Sequence, residues 1–241
     1  MTPQTALQDT THETSLSDLP GDRVAGYGVM GIPFASGDYL ALRDWTASSF
    51  GPAYRSIWHR DADGDWTVYS DQPPKTSCAR FLRPEVSATR TTEIELDWPD
   101  DCTLVVEIPA AALRWKVTLE RTAITRMLSK VAPAMPTPVW RSDAALRLIG
   151  TSSATMLRTG RLRLTGTMPN GQHFQLAPQH MWRVRDSTAH IGPRDFGEPR
   201  PAQPQVSIGE VPLPQRGIFY TATTARFYDT SRAVNTTGAK P

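Results

Sequence analysis

The sequence has only two cysteines, Cys78 and Cys102, which excludes a disulfide framework and leaves either two unconnected buried thiols or one bridge if their strands pair. No apolar run reaches membrane-spanning length. Residues 1 to 22 lack the basic start and apolar core of a secretory signal, so the sequence predicts a soluble, cytoplasmic chain without a membrane span. Charge of one sign is equally scarce: 26 Lys and Arg oppose 24 Asp and Glu, a formal net charge of +2. With no Lys/Arg run and no interleaving of bases with aromatics, the sequence argues against a nucleic-acid partner. There is no Gly-x-Ser-x-Gly elbow and no phosphate-binding glycine loop, and Gly26, Gly28 and Gly31 precede no predicted helix, so covalent hydrolase and nucleotide chemistry lack support and no cofactor is expected.

What the chain does have is turns and strands. Its 21 prolines and 16 glycines describe a chain that reverses often, and its 241 residues are enough to bury a sizeable core. The clearest element is Tyr54 to Arg60, then Asp61-Ala62-Asp63-Gly64, then Asp65 to Tyr69, two aromatic and β-branched runs around a turn whose Gly64 takes the left-handed position of a bulged hairpin. This registers Ile57 with Tyr69, Trp58 with Val68, His59 with Thr67 and Arg60 with Trp66. One face then carries Tyr54, Trp58, Trp66 and Val68, with Arg60 placed to stack on Trp66. The other carries Arg55, Ile57, His59, Thr67 and Tyr69. Both faces are amphipathic, which suggests the wall of a barrel or sandwich.

The rest divides by pattern. Residues 1–22 and 229–241 are polar and read as a disordered arm and tail. Residues 23–120 read as an N-terminal antiparallel β unit: Val24 to Phe34, Tyr39 to Trp45, the hairpin, a short candidate at Arg80 to Arg83, the alternating Thr91 to Trp98, then Leu104 to Ile108 and Leu113 to Leu119. Residues 121–160 switch to a helical period. Ile124, Met127, Leu128 and Val131 share a face behind a Thr122 cap and before Pro133, and Leu146, Ile149, Met156 and Leu157 follow a Ser142 cap, with Gly160 as stop. Residues 161–228 return to strands around Pro169-Asn170-Gly171, a strong hairpin signal. The proline-rich stretch 192–216 reads as a long surface loop.

Metal chemistry is weakly supported. Asp61, Asp63 and Asp65 match three positions of a calcium loop, but Trp66 stands where glycine is required and Gln72 where a bidentate glutamate is required. Turn aspartates explain them. His59, His173, His180 and His190 show no metal-ligand spacing. Seven tryptophans, among them Trp58, Trp66, Trp115 and Trp182, fit a core between sheets and equally fit a wall around an apolar ligand oriented by a few polar groups.

The pattern Gly31-Ile32-Pro33-Phe34-Ala35-Ser36-Gly37, Leu40-Ala41-Leu42-Arg43, Trp58-His59-Arg60-Asp61-x-Asp63-Gly64-x-Trp66, Pro169-Asn170-Gly171 and Pro214-Gln215-Arg216-Gly217 resembles actinobacterial proteins with no assigned activity. More distantly, the layout resembles the lipocalin-like proteins grouped with carotenoid hydratases and the attachment-protein family. That resemblance implies β-barrel halves holding apolar substrates; the helical middle and shorter chain depart from it, and no catalytic residue is carried over.

The sequence therefore predicts a mainly β, antiparallel fold, a lipocalin-like barrel or β-sandwich with one or two helices inserted in the middle. Its first functional reading is the binding of a small apolar or aromatic metabolite, with Arg43, Trp58, Arg60, Trp66, Trp115 and Trp182 as ligand-binding residues. A second is a hydratase, isomerase or cyclase in which His59 and Tyr69 move a proton. A third is a protein-interaction module with an exposed apolar patch.

Overall fold

The computed structural model describes residues 1–11, 16 and 19–230; residues 231–241, which hold nearly all of the expected tail, lie outside them. In chain order the strands are β1 (Asp22–Pro33), β2 (Tyr39–Ser48), β3 (Tyr54–Arg60), β4 (Trp66–Ser70), β5 (Ala88–Thr91), β6 (Glu95–Asp100), β7 (Thr103–Ile108), β8 (Leu113–Glu120), β9 (Thr165–Thr167), β10 (His173–Ala177), β11 (His180–Ile191), β12 (Arg194–Asp195), β13 (Ser207–Ile208), β14 (Val211–Pro212) and β15 (Ile218–Tyr228). The helices are α1 (Pro3–Thr11), α2 (Ala79–Leu82), α3 (Ala123–Ala134), α4 (Thr137–Arg141) and α5 (Asp143–Leu157).

Ten strands in the order β5-β4-β3-β2-β1-β15-β11-β8-β7-β6 form one sheet that curls into a half-barrel. The chain itself requires the curl. β5 is one edge and β6 the other, yet only residues 92–94 separate them, and four backbone steps span at most about 14 Å. The sequence pattern reads Thr91 to Trp98 as one strand. The structure instead breaks it at 92–94, because β5 pairs in parallel with β4 while β6 pairs with β7.

The expected N-terminal and C-terminal β units meet in this sheet through β1 and β15, which pair antiparallel. Ala222 adopts a left-handed φ of 49° between the part of β15 that pairs with β11, residues 218–221, and the part that pairs with β10, residues 224–228. The hairpin of β3 and β4 has the register expected of it, Ile57 with Tyr69 through Arg60 with Trp66, and Gly64 turns at φ 104°. The guanidinium stacked on a hairpin tryptophan is, however, that of Arg43 on Trp58, while Arg60 lies over Gly64.

Alternation along β1 to β4 divides the core into two clusters. Tyr39, Ala41, Trp45, Tyr54, Trp58, Trp66 and Val68 belong to the first, together with Cys78, Phe81, Phe174, Tyr220 and Phe227. Leu40, Leu42, Ile57 and Tyr69 belong to the second, together with Leu104, Val106, Trp115, Val117, Trp182 and Phe219.

Three further differences have local causes. The candidate strand at Arg80 to Arg83 is α2, whose Phe81 and Leu82 are buried and whose Phe81 ring stacks on Phe227 at 3.9 Å. Within the expected disordered arm, Pro3–Thr11 is helical, with Ala6 buried in the second cluster. The helical middle is α3 and α5 joined by the single turn of α4. Thr122 and Thr125 form the capping box of α3, and Ser142 caps α5. The buried side of α3 is Thr125, Ser129 and Ala132, so its Ile124, Met127 and Val131 face outward.

Candidate functional site

Arg43 is positioned by β2, whose alternation sends Tyr39, Ala41, Arg43 and Trp45 to one face. Opposite it, the pairing of β1 with β2 slips between Val29 and Ile32. In this irregular stretch the carbonyls of Val29 and Met30 accept from Arg43 at 2.7 and 3.3 Å, and that of Leu42 accepts at 2.8 Å. The slip depends on Gly31. Its φ is 149°, and a Cβ there would meet the Tyr39 hydroxyl at 2.0 Å. With its planar head so fixed, Arg43 lies 4.5 Å from the Trp58 ring centroid and 5.7 Å from that of Tyr220.

Beside Tyr220, Arg43 and Trp58 floor an apolar cavity of about 90 Å³. Its walls are Met30, Trp45, Trp58, Phe81, Phe174 and Phe227, and the β13–β14 hairpin covers it with Ile208, Val211 and Leu213. The Tyr39 hydroxyl donates to the Pro214 carbonyl at 3.0 Å and ties that cover down. Within the stretch 192–216, which otherwise runs largely exposed over the surface as a loop, residues 206–214 thus form a lid over the first cluster. The signal was present in the apolar spacing of Val206, Ile208, Val211 and Leu213, all buried.

The cavity is polar at few points. No carboxylate among the described residues forms an ion pair with Arg43. Trp58 Nε1 and Tyr220 Oη are buried without a hydrogen-bond partner among them. The Cys78 thiol lies on the wall, where Trp45 Nε1 donates to its Sγ at 3.3 Å and the Tyr54 hydroxyl touches it at 3.3 Å. Burial, reinforced by Cys78, pushes the Tyr54 phenol well up. Burial pushes Tyr220 up to about 12, opposed by the nearby Arg43 cation. Both phenols therefore stay protonated at neutral pH. Sequence reading named Arg43 and Trp58 but missed Cys78 and Tyr220 as neighbours of the same cavity, since only the fold brings residues so distant in the chain together.

The remaining sequence candidates lie elsewhere. Trp66 is packed edge-on to Tyr39, 6.1 Å between centroids, in the same cluster. Arg60 borders an open depression beside residues 200–207. Trp115 and Trp182 are fully buried in the second cluster; Trp115 Nε1 donates to Ser187 at 2.8 Å, and Trp182 packs against Phe219. Tyr69 is buried in that cluster too, and burial raises its phenol.

His59 also faces away from the cavity. Its Nε2 is 2.7 Å from Asp38 Oδ1, and Arg194 forks onto the same carboxylate at 2.8 and 2.9 Å. Ser36 donates to it at 2.7 Å, and the imidazole stacks on Phe196. Burial alone would raise the Asp38 carboxyl, but hydrogen bonds from His59, Arg194 and Ser36 outweigh it and hold the group down to about 2. This cluster pins the β11–β12 end to the turn after β1. Among the described residues no group of His, Cys, Asp and Glu has the arrangement of a metal site, and both cysteines are free, Cys78 buried and Cys102 partly exposed.

Fold and cavity together define a mainly β half-barrel with a covered, cation-floored apolar cavity. No family model and no curated protein matches the chain. Among solved structures it is similar to the crystal structure of acetoacetate decarboxylase from Legionella pneumophila subsp. pneumophila str. Philadelphia 1, at 7% sequence identity and a TM-score of 0.39, covering 90% of this chain and 87% of that one. A likeness at that level transfers no property from one protein to the other.

Proposed function

We infer that the chain binds a small carboxylate with a short apolar body in the Arg43 cavity. The observation that carries this reading is a half-buried guanidinium at the floor of an apolar cavity with no carboxylate partner among the described residues. Of its five N–H groups, three are used by backbone carbonyls. Nε–H and one Nη2 hydrogen are left for a ligand, and a planar fork of that kind favours carboxylate. The Trp58 and Tyr220 rings beneath hold the plane of the fork. The room suits a short acid: about 90 Å³, at about 10–15 Å³ of such space per water, takes about six or more water-sized groups, and butyrate has six non-hydrogen atoms.

Binding is favoured over proton transfer. The guanidinium groups of Arg43 and Arg163 on the cavity wall stay charged and cannot exchange a proton, which leaves the Cys78 thiol among the lining residues, whereas His59 and Tyr69 lie on the other face. The test is calorimetric titration with butyrate, butyramide and butanol. Butyrate is expected to bind at least about tenfold more tightly than the amide, the ratio that one charge-assisted pair supplies, and Arg43→Gln is expected to remove the difference. Equal affinity for acid and amide, or an unchanged ratio in Arg43→Gln, overturns the reading.

A further inference from the structure

The large apolar side chains left exposed among the described residues, Met1 apart, are Ile124, Met127 and Val131 on α3 and Leu148 and Met156 on α5. They are not scattered. Ile124, Met127 and Val131 follow helical spacing on the outward side of α3, while the inward side carries the small Thr125, Ser129 and Ala132, with Leu128 of the expected stripe half-buried against the first cluster. The helix is thus amphipathic toward solvent, the reverse of what packing on a sheet requires. α5 lies against α3 across a crevice that includes Val131 and Ile149.

Charge is concentrated on the same segment. Residues 121–163 carry eight Lys and Arg and one acid, Asp143, a net +7 within a chain whose total is +2. Asp143 is held internally by His173 at 2.9 Å and by Thr165 and Gln175, each at 2.8 Å. Arg126, Lys130, Arg147, Arg158 and Arg161 are exposed, and none of the ion pairs among the described residues includes them.

We propose that the outward face of α3 and α5 docks on an anionic lipid surface, with Ile124, Met127 and Val131 entering the headgroup boundary and the flanking Arg and Lys meeting lipid phosphates. Aliphatic side chains between cations on a helix lying in the plane of the surface are the pattern that chemistry requires. A second copy of the chain is disfavoured, since it would set the exposed cations Arg126, Lys130 and Arg147 of one copy against those of the other. Duplex nucleic acid offers phosphates but nothing to take up an aliphatic stripe. At 12 residues, α3 is about 18 Å long, which suits reversible adsorption rather than permanent anchoring.

The test is sedimentation of the full chain with vesicles of phosphatidylcholine alone and with roughly 30% phosphatidylglycerol, at low and at high salt. The anionic vesicles are expected to bind at least about tenfold more protein, with the gain lost at high salt. Arg126→Glu with Lys130→Glu is expected to abolish binding. Ile124→Ser with Met127→Ser is expected to weaken it at least about threefold. Both pairs leave the buried side of α3 intact, so an unchanged melting temperature verifies the fold. Equal binding to both vesicle types overturns the proposal. So does an apolar pair variant that binds as wild type, which would leave a purely electrostatic surface suited to an acidic protein or nucleic acid. A solution dimer dispersed by that same variant also overturns it, by making a second copy the occupant.

Discussion

The Arg43 guanidinium lies 4.5 Å from the centroid of the Trp58 ring, one strand over on the same face of the sheet. β2 and β3 set Ala41 opposite Trp58 and Arg43 opposite Ser56, so the arginine reaches diagonally to the ring, a distance long side chains span readily. The contact holds the cation flat against an apolar wall. Trp58→Leu removes it while keeping the wall apolar. Affinity for butyrate is expected to fall about fivefold, the worth of a half-buried cation–π pair, and calorimetric titration measures it.

Trp115→Phe provides the contrast. That indole donates to Ser187 within the second cluster, away from the cavity. Its loss is expected to lower stability by about 1–3 kcal/mol through the abandoned hydroxyl and the smaller ring, as urea unfolding would show, with butyrate affinity unchanged.

Gly31→Ala tests the slip that aims two carbonyls at Arg43. With φ at 149° and the Tyr39 hydroxyl 2.0 Å from the new Cβ, a methyl group cannot enter unless Tyr39 moves and releases the Pro214 carbonyl. The expected loss is about 3 kcal/mol or more in urea unfolding. Tyr39→Phe, which loses only the tether of the lid, is expected to cost about 1 kcal/mol.

Asp38 gives a pH dependence of defined sign. Its folded carboxyl, at about 2, lies below the ordinary 3.8, so the unfolded chain takes up the proton first. The stabilisation is therefore complete above about pH 5 and lost as pH falls through 3.8 toward 2, an effect of up to about 2 kcal/mol. Asp38→Asn is expected to be less stable at pH 7 and to show a flatter melting temperature between pH 5 and 2, measured by circular dichroism.

Thiol accessibility separates the two cysteines. Cys78 is buried under the lid, whereas Cys102 is partly exposed, although burial and the neighbouring Asp100 and Asp101 raise its thiol and slow it. Iodoacetamide is expected to label Cys102 in the native protein and Cys78 only in denaturant, as peptide mass mapping would show.

The sequence by itself determined the local elements whose signals are complete within a few residues. Gly64 and the alternation of Tyr54 to Tyr69 suffice for a hairpin and its register, because side chains on neighbouring strands must share a face. Thr122 and Ser142 mark helix starts because a hydroxyl answers nearby backbone N–H groups. Alternation likewise separated Trp58 from His59 onto opposite faces. Tertiary structure decided which face encloses space. Arg43, Cys78 and Tyr220 meet because β15 pairs with β1 and because α2 and the β13–β14 hairpin fold over the result, contacts between segments far apart in the chain whose partners no local pattern names. It also decided that Ile124, Met127 and Val131 point outward. A helical period announces an apolar stripe, but only the small residues packed beneath α3 fix which way that stripe turns.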